Sequence, residues 1–226
     1  MSVWAVIVAA GRGERLRLDR PKAFAKLNER PLLAESLERL EASEWIDAIV
    51  VAAPPDWEEP VILLAEELGC GKVVSVVPGG ETRTASVRAG LHEVPDDAAV
   101  VLVHDAARPM LAEDLIERLL TTLNEGWDGV VPGLPVSDTV KRVEGDQVVE
   151  TVPRDALVVA QTPQAFLWPA LKEAAAAADD ATDCSAMVEA RGGRIKVVAG
   201  DPRLLKITEP RDLETVARWL APAAAE

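Results

Sequence analysis

Val3-Trp4-Ala5-Val6-Ile7-Val8 runs without a break into Ala9-Ala10-Gly11-Arg12-Gly13-Glu14-Arg15, and Lys22, preceded by Pro21, follows seven residues after Arg15. An uninterrupted apolar run of this kind reads as a parallel strand buried on both faces. The chain therefore passes from a core strand directly into a glycine loop. Two glycines among small residues let backbone N–H groups come close to an anion, and Arg15 and Lys22 can add charge-assisted contacts to phosphate oxygens. Neither of two familiar phosphate loops fits. Leu16 stands where a dinucleotide fingerprint has its third small residue, and Leu16-Arg17-Leu18 stands where a Walker loop has Gly-Lys-Ser/Thr. A plain glycine turn ringed by solvated arginines would look the same on this segment alone.

Charge separates the two readings. The 226-residue chain is formally −14, yet residues 12–30 hold seven Lys/Arg (Arg12, Arg15, Arg17, Arg20, Lys22, Lys26, Arg30) against three acids. An acidic protein with its cations gathered beside a glycine loop suits a small phosphorylated ligand; long-range repulsion opposes a polyanion, so no nucleic-acid partner is expected. With 49% hydrophobic residues and no Ser/Gly-rich linker, one domain spanning 1–226 is the expectation. No apolar stretch reaches the ~18 residues that span a bilayer, and no basic leader precedes the first strand, which predicts a cytoplasmic protein without membrane association. Cys70 and Cys184 lie far apart without a Cys-x-x-Cys pair or a His cluster, so both read as ordinary thiols.

Outward from the loop, Pro31 to Leu40 has helical spacing, Ile46 to Ala52 reads as a second strand, Glu58 to Leu68 as a helix and Lys72 to Val77 as a third strand. This alternation implies a Rossmann-like α/β fold with a mostly parallel sheet flanked by helices. Gly79-Gly80-Glu81-Thr82-Arg83-Thr84-Ala85-Ser86 then repeats the glycine-turn theme before a helix through Leu91. That junction suits a base, ribose or phosphate, or is a simple turn with a threonine helix cap.

A fourth strand, Ala98 to Val103, delivers His104-Asp105-Ala106-Ala107-Arg108-Pro109 to the rim that the carboxyl ends of the strands share in a doubly wound sheet. Asp105 is a hard oxygen donor suited to Mg²⁺, which commonly takes one or two carboxylates plus substrate phosphates and water. Strand alternation would send His104 to the opposite face, into a structural hydrogen bond. A receiver-domain phosphoacceptor is disfavoured, because that reading wants an acidic pair where this chain has Ala9-Ala10-Gly11.

After a fifth strand at Asp128 to Pro132 the rhythm breaks. Val136 to Val143 and Gln147 to Val152 flank Glu144-Gly145-Asp146 and predict a protruding two-stranded arm over 134–153, packed either on a partner subunit or on its own domain. Leu157 to Ala160 reads as a return to the sheet. Helices follow at Pro169 to Ala178 and from about Thr182 to Ala190, with Asp183 in a first turn. Ile195 to Val198 is a short strand, and Thr208 is placed to cap a last helix over Glu209 to Leu220, with Lys206 able to reach the rim. The acidic, Ala-rich end, 221–226, is expected to fray.

With these residues laid out, the chain resembles the 2-C-methyl-D-erythritol 4-phosphate cytidylyltransferases over nearly its whole length. The resemblance rests on Ala9-Ala10-Gly11-x-Gly13-x-Arg15, Pro21-Lys22, Gly79-Gly80 through Ser86, His104 to Pro109, Asp138-Thr139-Val140-Lys141, Thr162-Pro163-Gln164, Thr182-Asp183 and Lys206-Ile207-Thr208. It implies transfer of CMP from CTP to a sugar-alcohol phosphate. On this resemblance, Arg15, Lys22 and Lys206 serve the phosphates and their transition state, and Asp105 holds Mg²⁺. Ala9, Ala10, Gly11, Gly13, Gly80, Glu81 and Ser86 seat the nucleotide. Arg108, Thr162, Thr182 and Thr208 surround the acceptor, with Thr139 and Arg154 reaching it from a second subunit of a homodimer joined through the arm. The chain departs from the commoner pattern at Cys184, where an acidic residue often follows the aspartate matching Asp183.

The nearest rival is a ribitol 5-phosphate cytidylyltransferase, similar in the same loops. Sugar-1-phosphate and molybdopterin nucleotidyltransferases share the first loop but are not expected to carry His104 to Pro109. A non-catalytic nucleotide-binding module would not need Lys22, Asp105 and the polar arm together.

Overall fold

The computed structural model describes residues 2–11, 13–16, 18–178 and 180–221. The opening run forms β1 (Val3–Val8), and its glycine loop closes through a 3-10 turn at Glu14–Leu16 and another at Lys22–Phe24. A two-rung hairpin, β2 (Lys26–Leu27) and β3 (Arg30–Pro31), leads into α1 (Leu32–Ala42). The βα alternation then continues through β4 (Ala48–Ala53), α2 (Glu58–Glu67), β5 (Val73–Pro78), α3 (Arg83–His92), β6 (Val100–Asp105) and α4 (Glu113–Leu123). β7 (Gly129–Pro135) precedes a hairpin of β8 (Val140–Glu144) and β9 (Gln147–Val152). β10 (Val158–Ala160), β11 (Gln164–Leu167), α5 (Trp168–Ala177), α6 (Cys184–Glu189), β12 (Ile195–Ala199) and α7 (Pro210–Leu220) complete the described chain.

The main sheet has the order β10-β7-β11-β6-β1-β4-β5, with β12 on the other side of β7. β5, β4, β1 and β6 are mutually parallel, and β12 is parallel to β7. The purely apolar reading of β1, β4 and β6 has a direct cause, since alternate residues enter two different cores. Ala5, Ile7, Ile49, Val51 and Leu102 pack under α1, α2 and α4. Val6, Val50, Val101, Val103 and Phe166 pack under α3, α5 and α6. The result is a three-layer α/β/α sandwich whose strand carboxyl ends share one rim, the usual ligand edge of such a sheet.

Several boundaries and roles differ from the sequence reading. β11 was not anticipated; it inserts antiparallel between β6 and β7, pairing Gln164–Leu167 with Val103–Val100. It is four residues long between Pro163 and Trp168-Pro169, too short for a period-two signal. The return strand at 157–160 is β10, antiparallel to β7 and exposed. Asp183 is the N-cap of α6 rather than a first-turn residue, accepting from the Ala186 N–H. Thr208 does not cap α7: Glu209 and Asp212 form a reciprocal capping box there, and the Thr208 hydroxyl donates to the Lys206 carbonyl. The expected arm is present as β8–β9, a two-stranded sheet of its own turning at Gly145, where φ is +57°. The expected fraying end beyond Ala221, together with Arg12 and Arg17, lies outside the described residues.

Candidate active site

The first glycine loop, the second one and the end of β6 meet at the rim around a cleft of about 360 Å³ lined by Ala9, Ala10, Gly11, Lys22, Gly79 to Arg83, Ser86, Asp105 and Lys206, among others. Backbone bonds fuse the loops to the sheet. Ala9 N–H donates to Ala52 O (2.9 Å), Gly79 N–H to Ala53 O (2.8 Å) and Ala106 N–H to Val8 O (3.1 Å). The loops pack so tightly that side chains are excluded: a Cβ on Gly79 would lie 2.3 Å from Ala10 Cβ, and one on Gly80 would lie 2.4 Å from Ala85 Cβ. Gly13 has φ +68°, and a Cβ there would meet Lys22 Cβ at 2.7 Å, so this glycine lets the Lys22 stem pass. Ser86 locks the second loop, accepting from Gly80 N–H (3.1 Å) and donating to Thr82 O (2.9 Å). Thr82 caps α3 through the Ala85 N–H.

Charge is concentrated at one side of the cleft. Asp105 Oδ1 accepts from Arg83 Nε (3.0 Å), with Arg83 Nη2 also 3.0 Å away, while Oδ2 accepts from Lys206 Nζ (2.7 Å). Burial alone would raise the Asp105 pKa, but Arg83 and Lys206 outweigh it and hold the carboxyl well below the usual carboxylate range. Lys22 is pushed down to about 8 by burial first and then by the neighbouring Lys206, partly offset by Asp105. Arg15 is exposed on its 3-10 turn and outside the cleft wall, yet its charge also lowers the Lys22 pKa. Three cations, Lys22, Arg83 and Lys206, thus line the cleft together with the carboxyl groups of Asp105 and Glu81, a lining suited to a polyanion with a divalent cation.

A Mg²⁺ site can be tested against this donor set. Among the described residues no group of three or more His, Cys, Asp or Glu could hold a metal. Each Asp105 carboxylate oxygen accepts one hydrogen bond, Oδ1 from Arg83 Nε and Oδ2 from Lys206 Nζ, and each keeps a lone pair. One carboxylate oxygen fits Mg²⁺ that draws its other ligands from phosphates and water.

The sequence-derived acceptor residues are dispersed. Thr162 is buried; its hydroxyl accepts from Asp105 N–H (2.9 Å) and lies 3.5 Å from His104 Nδ1. The Arg108 guanidinium is tied to Leu204 O (2.8 Å) and Ala160 O (3.5 Å). Thr182 is exposed ahead of α6, and Thr208 sits behind Lys206. Thr139 and Arg154 are exposed at the root of the arm, where Arg154 donates to Ser137 O. None of these six lines the cleft.

The profile of the family described as 2-C-methyl-D-erythritol 4-phosphate cytidylyltransferase matches residues 3–221. The chain belongs to that family. It is 44% identical over 225 residues to the 2-C-methyl-D-erythritol 4-phosphate cytidylyltransferase of Nocardia farcinica, covering 99% of this chain and 96% of that one. It is 42% identical over 221 residues to the one from Frankia casuarinae, covering 97% and 81%. The crystal structure of the 2-C-methyl-D-erythritol 4-phosphate cytidylyltransferase from Thermus thermophilus superposes with a TM-score of 0.77 at 33% identity, covering 97% of this chain and 98% of that one.

In this member of the cytidylyltransferase family one site residue escaped the sequence. Arg83 was missed although a signal existed: a cation at the first position of a helix opposes the macrodipole unless an anion compensates it, and Asp105 is that anion. Arg83 also donates from Nη1 to Cys184 Sγ (3.7 Å), so the unusual Cys184 packs against the cation's far side. Burial raises that thiol to about 11 and also raises Cys70 to about 11, consistent with unreactive thiols. His104 behaves as expected. It faces away from the cleft, its Nε2 is 3.1 Å from Arg108 O, and burial lowers it to about 4, so it is neutral.

Proposed function

We propose that the enzyme transfers CMP from CTP to 2-C-methyl-D-erythritol 4-phosphate. A phosphate oxygen of the acceptor attacks the α-phosphorus, the α–β phosphoanhydride bond breaks, and pyrophosphate leaves with the bonding electrons. The observation that carries this reading is the cation cluster of Lys22, Arg83 and Lys206 around Asp105 at the mouth of the glycine cleft. Two anions must be brought together, so positioning and electrostatic stabilisation supply the catalysis and no covalent enzyme intermediate is needed.

In this reading Lys22 and Lys206, with Arg15 closing from its turn, stabilise the charge that builds on the α-phosphoryl group. Ala9, Ala10, Gly11, Gly13, Gly80, Glu81 and Ser86 hold the base and ribose, in loops where Gly13, Gly79 and Gly80 leave no room for a side chain. Asp105 would hold Mg²⁺, and the metal would supply charge neutralisation on the triphosphate. Arg108, Thr162, Thr182 and Thr208 belong to the acceptor side. Thr139 and Arg154 reach it from the second subunit of a homodimer, in a cytoplasmic enzyme. No helix of the described residues is long and apolar enough to cross a membrane, which agrees with small soluble substrates.

The test is pyrophosphate release from CTP and Mg²⁺ with 2-C-methyl-D-erythritol 4-phosphate and D-ribitol 5-phosphate side by side. Release with the first acceptor alone is expected. Release with ribitol phosphate would reassign the acceptor, and CTP binding without turnover would leave a nucleotide-binding module.

A further inference from the structure

Gln161 is buried, lies outside the cleft, and was not part of the sequence-derived site. Its side-chain amide pairs with the backbone of Asp201 in both directions, Oε1 accepting from Asp201 N–H (3.0 Å) and Nε2 donating to Asp201 O (2.9 Å). Nε2 also lies 3.5 Å from Leu204 O. A glutamine amide used in this way acts as one extra rung of a ladder. It continues the β12–β7 pairing past Ala199, where Gly200 N–H already donates to Gly133 O (2.9 Å). The joint is close. A Cβ on Gly200 would fall 2.3 Å from Gln161 Oε1. Gln161 is itself anchored from the opposite side of β7, its N–H donating to Pro132 O (2.8 Å).

The chain that this amide grips goes on to Lys206. Leu204 is fully buried, with its carbonyl held by Arg108 Nη1, and Ile207 is fully buried, with its N–H on Ala107 O (2.8 Å). Lys206 is suspended between these two pins, and its Nζ reaches Asp105 at 2.7 Å. We propose that Gln161 is a positioning residue for Lys206: by binding the backbone at Asp201 it sets where the segment after β12 begins, and with it where the Lys206 ammonium stands over the cleft. An apolar residue here would leave the Asp201 N–H without its side-chain partner, and a half-satisfied polar joint is costly, so the pairing has to be complete to be worth keeping. This rests on the phosphate role given to Lys206 above.

The experiment is a double-mutant cycle on steady-state pyrophosphate release, using Gln161→Met, which keeps length and removes all three side-chain hydrogen bonds, with Lys206→Ala. A displacement of about 1 Å at a catalytic cation costs up to ~100-fold. Gln161→Met should lower kcat by about tenfold or more in the wild-type background while the KM for CTP moves much less, and by under about twofold once Lys206 is gone. Gly200→Ala presses on the same joint and leaves the glutamine in place, so it should reproduce the pattern if Gln161→Met does not fold. Equal losses in both backgrounds, or wild-type kcat in a folded variant, would overturn the positioning role. Undiminished kcat/KM in Lys206→Ala alone would remove the underlying reading of the site, a separate failure.

Discussion

Lys22 carries the sharpest single-residue consequence. In the free protein its ammonium is depressed to about 8 by burial and by Lys206, against 10.5 for an ordinary lysine. The protonated form is the one that binds phosphate, so kcat/KM, which reports groups of the free enzyme, should fall as pH rises through about 8. The stability sign is opposite. Between about 8 and 10.5 the unfolded chain binds the proton that the folded one has lost, so this group makes the fold more stable as pH rises across that window. Activity lost above pH 8 without a lower melting temperature therefore identifies a site titration. Lys22→Ala should cost about 3 kcal/mol of barrier, roughly 100-fold in turnover, with the fold retained. A kcat/KM profile that stays flat up to the ordinary lysine range, or wild-type turnover in the alanine variant, would remove Lys22 from the chemistry. At this scale Lys22 and Asp105 drew notice because one follows the glycine loop and the other ends a strand, whereas Arg83, in the same cluster, did not. The bonding of the hydroxyls within the fold was not legible. Thr162 and Thr208 look free in the sequence, but in the fold they spend their bonds on Asp105 N–H and Lys206 O.

Elements were legible in proportion to how strictly their burial is periodic. β1, β4 and β6 are covered on both faces and announce themselves as apolar runs; β11 has the same burial but lacks the length to show it. Its first residue also makes α6 depend on it. Gln164 Nε2 donates to Asp183 Oδ2 (2.8 Å), and its Oε1 accepts from Cys184 N–H (3.2 Å) and Ser185 N–H (3.3 Å). Asp183 meanwhile caps the helix at Ala186 N–H (2.9 Å) and accepts from the Ser185 hydroxyl. This six-residue helix is too short to stand on intrinsic propensity, so its start is fixed by side-chain bonds from β11. Asp183→Ala removes the cap and strands the Gln164 amide donor inside the protein. The expected loss is about 2 to 3 kcal/mol, at the upper end for a cap because a buried partner is orphaned as well. Chemical denaturation with an unchanged m-value would check it, and a loss below about 0.5 kcal/mol would show that α6 is held by packing alone.

At the scale of the whole molecule, the cleft and the arm are the two features whose relation decides how many chains make one working site. The cleft already holds its cations and Asp105 within one chain, while Thr139 and Arg154 sit at the root of a hairpin that forms a sheet of its own. Val143 and Val148 pair across that hairpin and are 56% and 54% exposed. Two-stranded ribbons are marginal in water by themselves, and paired valines left open to solvent are a surface that gains from being covered. A second copy of the chain would cover it and would place the arm's polar root beside a neighbouring cleft. On the proposed homodimer, replacing both valines with glutamate should therefore leave the folded core and CTP binding intact, shift the solution mass from dimer to monomer, and lower turnover with the sugar-alcohol phosphate. Sedimentation equilibrium alongside pyrophosphate release reads both effects on one preparation. A variant that stays dimeric places the subunit contact elsewhere, and a fully active monomer would mean that one chain completes its acceptor site without the arm of another.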